Sequence, residues 1–146
     1  MRLANLVLLT IIGFLFVSCA PARTSVVIKQ GKPQQFFISG CGTFDILTIS
    51  GPDSGRAPHD GIPYMKDYWV IQSKNDIDVS RLPKPIVYGQ VPPGFRQYTP
   101  ANGSPLPILD GRDYSIQIRV RDERCGGVGM LFFVRDGKIT TEADAD

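Results

Sequence analysis

The chain has 146 residues, with 16 Lys and Arg against 14 Asp and Glu, and a formal charge of +2. That length suits one domain, with room for a leader or a tail. The charge is too small for a nucleic-acid binder or a polybasic membrane patch. The single His excludes a multi-histidine metal site within one chain, and no cofactor is expected.

The first segment reads as an address. Met1-Arg2 sets a positive charge before Leu6 to Val17, an apolar run broken only by Thr10 and Gly13. The run is short of the ~20 residues that a transmembrane helix needs, and it fits a secretory signal. It ends in Phe16-Val17-Ser18-Cys19. This tetrapeptide resembles the lipobox of bacterial lipoprotein precursors, in which a small residue precedes an invariant Cys. Phe16 stands where Leu is usual. The resemblance implies cleavage after Ser18 and lipidation of Cys19, so the chain's first partner is a membrane, through its lipid anchor. Ala20, where Asp would stand in some relatives, is similar to enterobacterial lipoproteins passed on to the outer membrane. The alternative is an ordinary signal peptide with a chance Cys. The expected division is a lipoprotein signal peptide at 1–18, a lipidated tether at 19–24, a folded domain at 25–141 and an acidic flexible tail at 142–146.

The rest reads as short strands separated by Gly and Pro. Ser25 to Lys29, Gln35 to Ser39 and Phe44 to Ser50 are rich in β-branched and apolar residues. Residues 51–63 form a loop dense in Gly, Pro and Asp. Tyr68 to Gln72 is the next strand. Asp76 to Leu82 suits a helical turn, stopped by Pro83 and Pro85. Pro85 to Gly89 is a short edge strand. Residues 91–107 carry five prolines and read mostly as loop, with Phe95 to Tyr98 extended at most. From Tyr114 to Arg121, apolar Tyr114, Ile116, Ile118 and Val120 alternate with polar Ser115, Gln117, Arg119 and Arg121. That is a strand with one wet face. Met130 to Val134 is continuously apolar and leads through Asp136-Gly137, a strong hairpin signal, into Ile139-Thr140. No segment after the leader sustains a helical apolar period. The expected fold is all-β, a single antiparallel β-sandwich.

Leu109-x-Gly111-x-x-Tyr114-x-Ile116-x-Ile118 is similar to the entry of strand F in fibronectin type III and related immunoglobulin-like domains. The resemblance implies a Tyr114 hydroxyl bonded back across the corner. It also implies that Tyr68 to Ile71 is strand C, with Trp69 in the core, and that Met130 to Val134 is strand G. With Cys19 acylated, Cys41 and Cys125 remain, and an oxidising compartment makes a disulfide between them the default. Their lack of C-x-x-C spacing argues against zinc or redox chemistry. The bridge favours Gln35 to Ser39 as the second strand of the sandwich, because Cys41 then reaches the loop holding Cys125, or else a sandwich of different topology.

Candidate chemistry is thin. His59-Asp60 is the only neighbouring pair able to include a general base, and it sits in a Gly/Pro loop without a G-x-S-x-G motif. Asp53, Asp60, Asp67, Asp76 and Asp78 could suggest calcium but match no EF-hand loop. Gly126 to Gly129 precedes a strand, where a phosphate loop needs a helix. The binding candidates are Phe95, Arg96 and Tyr98, read as rigid aromatics and a cation on a stiff Pro-rich loop. Covering an open sandwich edge is the competing role for such rings. The expected function is a non-catalytic bacterial cell-envelope lipoprotein facing the periplasm. It would be a tethered protein-binding or structural module whose partner is another envelope protein. An inhibitor or immunity lipoprotein acting on a toxin or lysozyme is one alternative, and an envelope hydrolase another.

Overall fold

A computed structural model describes residues 23–142. The signal segment, Cys19, most of the tether and residues 143–146 lie outside the described residues. Among the described residues nine strands follow in chain order: β1 (Ser25–Lys29), β2 (Gln35–Ser39), β3 (Thr43–Pro52), β4 (Met65–Asp78), β5 (Ile86–Val87), β6 (Phe95–Thr99), β7 (Arg112–Val120), β8 (Val128–Arg135) and β9 (Lys138–Thr141). A 3-10 turn, Val79–Arg81, follows β4. All pairings are antiparallel. One sheet has the order β1-β2-β5, the other β6-β4-β3-β7-β8-β9.

The two sheets pack as a sandwich, because each alternating strand has one apolar face to bury. Phe36, Ile38 and Ile86 from the small sheet meet Phe44, Leu47, Ile49, Trp69, Ile71, Ile116, Ile118 and Phe132 from the large one. Placing β1, β2 and β5 side by side, and β3, β7 and β8 side by side, follows the immunoglobulin-like order. β4, β6 and β9 widen the large sheet.

Three expected elements are corrected. The strand at Tyr68 to Gln72 extends to 14 residues, Met65–Asp78, because β3 pairs along both of its ends as well as its middle, while β6 pairs with Val70 to Ser73 on the other side. That extension takes Asp76 to Asp78 out of the expected helical turn. Only Val79–Arg81 turns, started by the Asp78 carboxylate, which accepts from the Ser80 N–H at 2.8 Å. Trp69 lies on the fourth strand, not the third; β3 takes the third place. Its ring is nevertheless fully buried, and its Nε1–H donates to Gln97 Oε1 at 2.8 Å. The third correction is β6, described below.

The corner at β7 forms as the strand F likeness implies. Tyr114 is fully buried, its ring stacked on Phe132 with centroids 5.4 Å apart. Its hydroxyl accepts from the Leu109 N–H at 2.7 Å and donates to the Leu109 carbonyl at 3.3 Å. Burial pushes the phenol pKa up, so the group stays a neutral donor and acceptor. Tyr114→Phe keeps the ring and leaves the Leu109 groups unpaired. We expect it to cost about 1 to 2 kcal/mol in chemical denaturation. An unchanged midpoint would show that the corner contributes nothing.

The Asp136-Gly137 turn also forms as read, with φ of +51° and +70°. Thr24, just before β1, is only 6% exposed, and its Oγ1 is a buried atom with no hydrogen-bond partner. Thr24→Val preserves the shape and removes that hydroxyl. It should raise stability by about 1 kcal/mol, read as a higher melting temperature. A lower melting temperature would mean that the hydroxyl is satisfied in solution.

Candidate functional site

The candidate surface is the outer face of the six-stranded sheet, and it starts from a bulge. Asp45 interrupts an apolar run, and the β3 register shifts between Phe44 and Ile46 against both β4 and β7. The extra residue lets Phe44 enter the core while Asp45 reaches the outer face. There its carboxylate accepts from Gln72 Nε2 at 3.0 Å and from Arg119 Nε at 2.7 Å. Arg121 Nε stands 3.8 Å away and also pairs with Asp76. The Gln72 hydrogen bond, then the hydrogen bond and charge of Arg119 and the charge of Arg121, hold the Asp45 carboxyl below the usual carboxylate range, although burial pushes the other way.

The strand registers then line up a row across four strands. Arg96 on β6 opposes Gln72 on β4, Gln72 opposes Ile46 on β3, and Ile46 opposes Arg119 on β7. A second row runs Thr99, Val70, Thr48, Gln117 and Gly129. Gly129 has no side chain beside Gln117, which opens a shallow groove of about 360 Å³ lined by Ile46, Thr48, Gln117 and Arg119.

Of the three expected binding residues, two are on this surface. Arg96 and Tyr98 are exposed, with the guanidinium 4.7 Å from the ring centroid and bonded to the hydroxyl. Phe95 is the correction. It lies in a regular strand, not a loop, paired with Ser73 of β4, and is 4% exposed. Its ring packs edge-on to Phe44 at 5.5 Å. The prolines around it suggested a loop, but they flank β6 rather than interrupt it. Gln97 fixes the strand by accepting from Trp69 and donating to the carbonyls of Pro100 and Gly103 at 2.8 and 3.0 Å. Tyr68 is likewise buried, its hydroxyl on the Pro52 carbonyl at 2.8 Å. Tyr64 is exposed in the loop between β3 and β4, under Arg56.

The other candidates have ordinary partners. His59 and Asp60 stand 3.5 Å apart with side chains 78% and 84% exposed, where water screens any base. Asp53 pairs with Lys66 at 3.1 Å, Asp67 accepts from Ser50 at 2.8 Å, and Asp78 caps the 3-10 turn. Among the described residues, no three His, Cys, Asp or Glu stand together as a metal set. Gly127 is required by packing: a Cβ there would lie 2.5 Å from the Ile118 carbonyl oxygen.

Cys41 and Cys125 are bonded to each other, with Cα atoms 5.5 Å apart, joining the β2–β3 turn to the β7–β8 loop. Sequence reading missed Asp45, Gln72 and Ile46 as one unit. The available signal was an acid inside an apolar strand, which marks a bulge or a buried pair. The chain matches no protein-family model, no curated protein and no solved structure.

Proposed function

We propose that the chain is a non-catalytic bacterial cell-envelope lipoprotein. Acyl chains on Cys19 hold a disulfide-stapled sandwich at a membrane, facing the periplasm, and the outer face of the large sheet meets an envelope protein. The observation that carries this reading is the cysteine pairing. Cys41 and Cys125 satisfy each other, so of three cysteines the one at the end of the apolar leader is left without another cysteine to pair with. An oxidising compartment and a lipidated N-terminal Cys both fit that pattern. Several acyl chains, each buried methylene contributing about 0.8 kcal/mol, would make release from the bilayer negligible.

Partner binding is supported by the exposed Arg96 and Tyr98, on the sheet face that also carries the groove across β3 and β7, a composition common at interface hot spots. The experiment is expression of Cys19→Ala in a Gram-negative host with radiolabelled palmitate. Label is lost, and the protein is left unprocessed or moves to the soluble fraction. Normal cleavage with membrane retention sinks the reading. In the lipidated protein, Arg96→Ala with Tyr98→Ala should leave the fold intact and weaken cross-linking to the partner.

A further inference from the structure

Resting on the anchor at Cys19, we infer that the domain stands on its disulfide pole. The bilayer surface faces the loops around Cys41 and Cys125, and the opposite pole is carried away from the lipid.

The chain enters the sandwich at that pole. The Thr24 N–H donates to the Cys125 carbonyl at 3.3 Å. Gly40 lies against the same segment so closely that a Cβ there would be 2.6 Å from Thr24 Cα and 3.0 Å from the Arg23 carbonyl oxygen. The Val79 N–H, at the start of the 3-10 turn, donates to the Gly42 carbonyl at 2.9 Å. The exit of the tether, the disulfide and the 3-10 turn therefore share one end of the molecule.

The opposite end is equally well defined. It holds the β8–β9 turn, where the Gly137 carbonyl accepts from Gln30 Nε2, and the Leu109–Tyr114 corner. The loop joining β3 to β4 is also there, with Ile62 70% exposed.

Length decides the orientation. Five residue steps separate Cys19 from Thr24, and a fully extended chain covers at most about 18 Å in that span. The 14 residues of β4 run roughly 45 Å at 3.3 Å each. The tether is therefore too short to invert the domain. Arg23, Arg81 and Arg124, with Asp78, Asp122 and Glu123, are the groups brought to the headgroups, three cations against three carboxylates. Charge alone would not hold this pole to an anionic surface; the lipid does. The exposed Ile62, Tyr64 and Leu109 are held away from the bilayer.

The test uses the lipidated full chain with its native disulfide oxidised. Arg81→Cys and Ser54→Cys place a single fluorophore at the near and far poles respectively. Each protein is reconstituted in phosphatidylethanolamine–phosphatidylglycerol vesicles bearing a headgroup nitroxide. The label at 81 loses most of its emission, and the label at 54 keeps most of it. A Gly/Ser spacer longer than the domain, inserted between Ala22 and Arg23, brings the two together. Equal quenching without the spacer, or stronger quenching at 54, overturns the orientation. The intact mass of the purified protein separates the two failures: acyl chains present with the wrong quenching order refute the orientation alone, whereas their absence refutes the anchor and the orientation with it.

Discussion

Phe95→Ala destabilises the domain by about 3 to 5 kcal/mol, the cost of emptying a buried aromatic site. The ring is 4% exposed and lies edge-on to Phe44, itself fully buried on β3. Removing it takes away one partner of an aromatic pair and leaves a void where β6 closes over β4. The neighbouring residues are poorly placed to collapse into that void. Gln97 is fixed by Trp69 and by the carbonyls of Pro100 and Gly103, and Ser73 opposite is small. For a domain of this size the melting temperature should fall by roughly 10 to 20 °C. Tyr98→Ala on the same strand is the internal control. Its side chain is exposed, so the change should stay within about 0.5 kcal/mol. If Phe95→Ala melts like the wild type and Tyr98→Ala does not, the two residues have exchanged faces and the β6 register is wrong.

Replacing both cysteines, Cys41→Ser with Cys125→Ser, has the next largest effect. The bridge closes a loop spanning 84 residues of sequence separation, most of the domain. In the chain-entropy account such a closure is worth about 4 to 5 kcal/mol, chiefly by restricting the unfolded state. The double variant should lose that amount in guanidinium denaturation at matched oxidation of the parent. Its m-value should rise, because the unfolded chain becomes more open. An unchanged midpoint would mean that the sandwich is held by its core alone.

Much of the fold was legible because the strands carry their own signals. The alternation from Tyr114 to Val120 and the Asp136-Gly137 turn each specify one local structure. The cysteines then favoured the register in which Gln35 to Ser39 is the second strand, with a different sandwich topology as the alternative, and β2 is that strand. What escaped was structure supplied by neighbours. The far end of β4 reads as a helical turn from Asp76, yet Ile77 and Asp78 pair with Phe44 and Thr43 because β3 lies alongside. Five prolines hid β6 for the same reason: composition describes a segment in isolation, whereas a strand also needs an edge to join. Arg96 and Tyr98 were readable as exposed residues. The row they enter with Gln72, Ile46 and Arg119 exists only once three registers and the Asp45 bulge are set.

The rims of the two sheets have a consequence for how molecules meet. An open rim offers unpaired backbone groups to any second chain, and the hazard grows with rim length. Here β5 contributes two residues and β9 four, while β1 and β6 contribute five each. Lys29, Lys138 and Arg96 add like charges along them, and Pro85 and Pro100 cut two of them off. A second copy approaching rim to rim would gain only a few hydrogen bonds and would meet a cation of the same sign. Domains with such rims can crowd shoulder to shoulder at high density and still remain separate molecules.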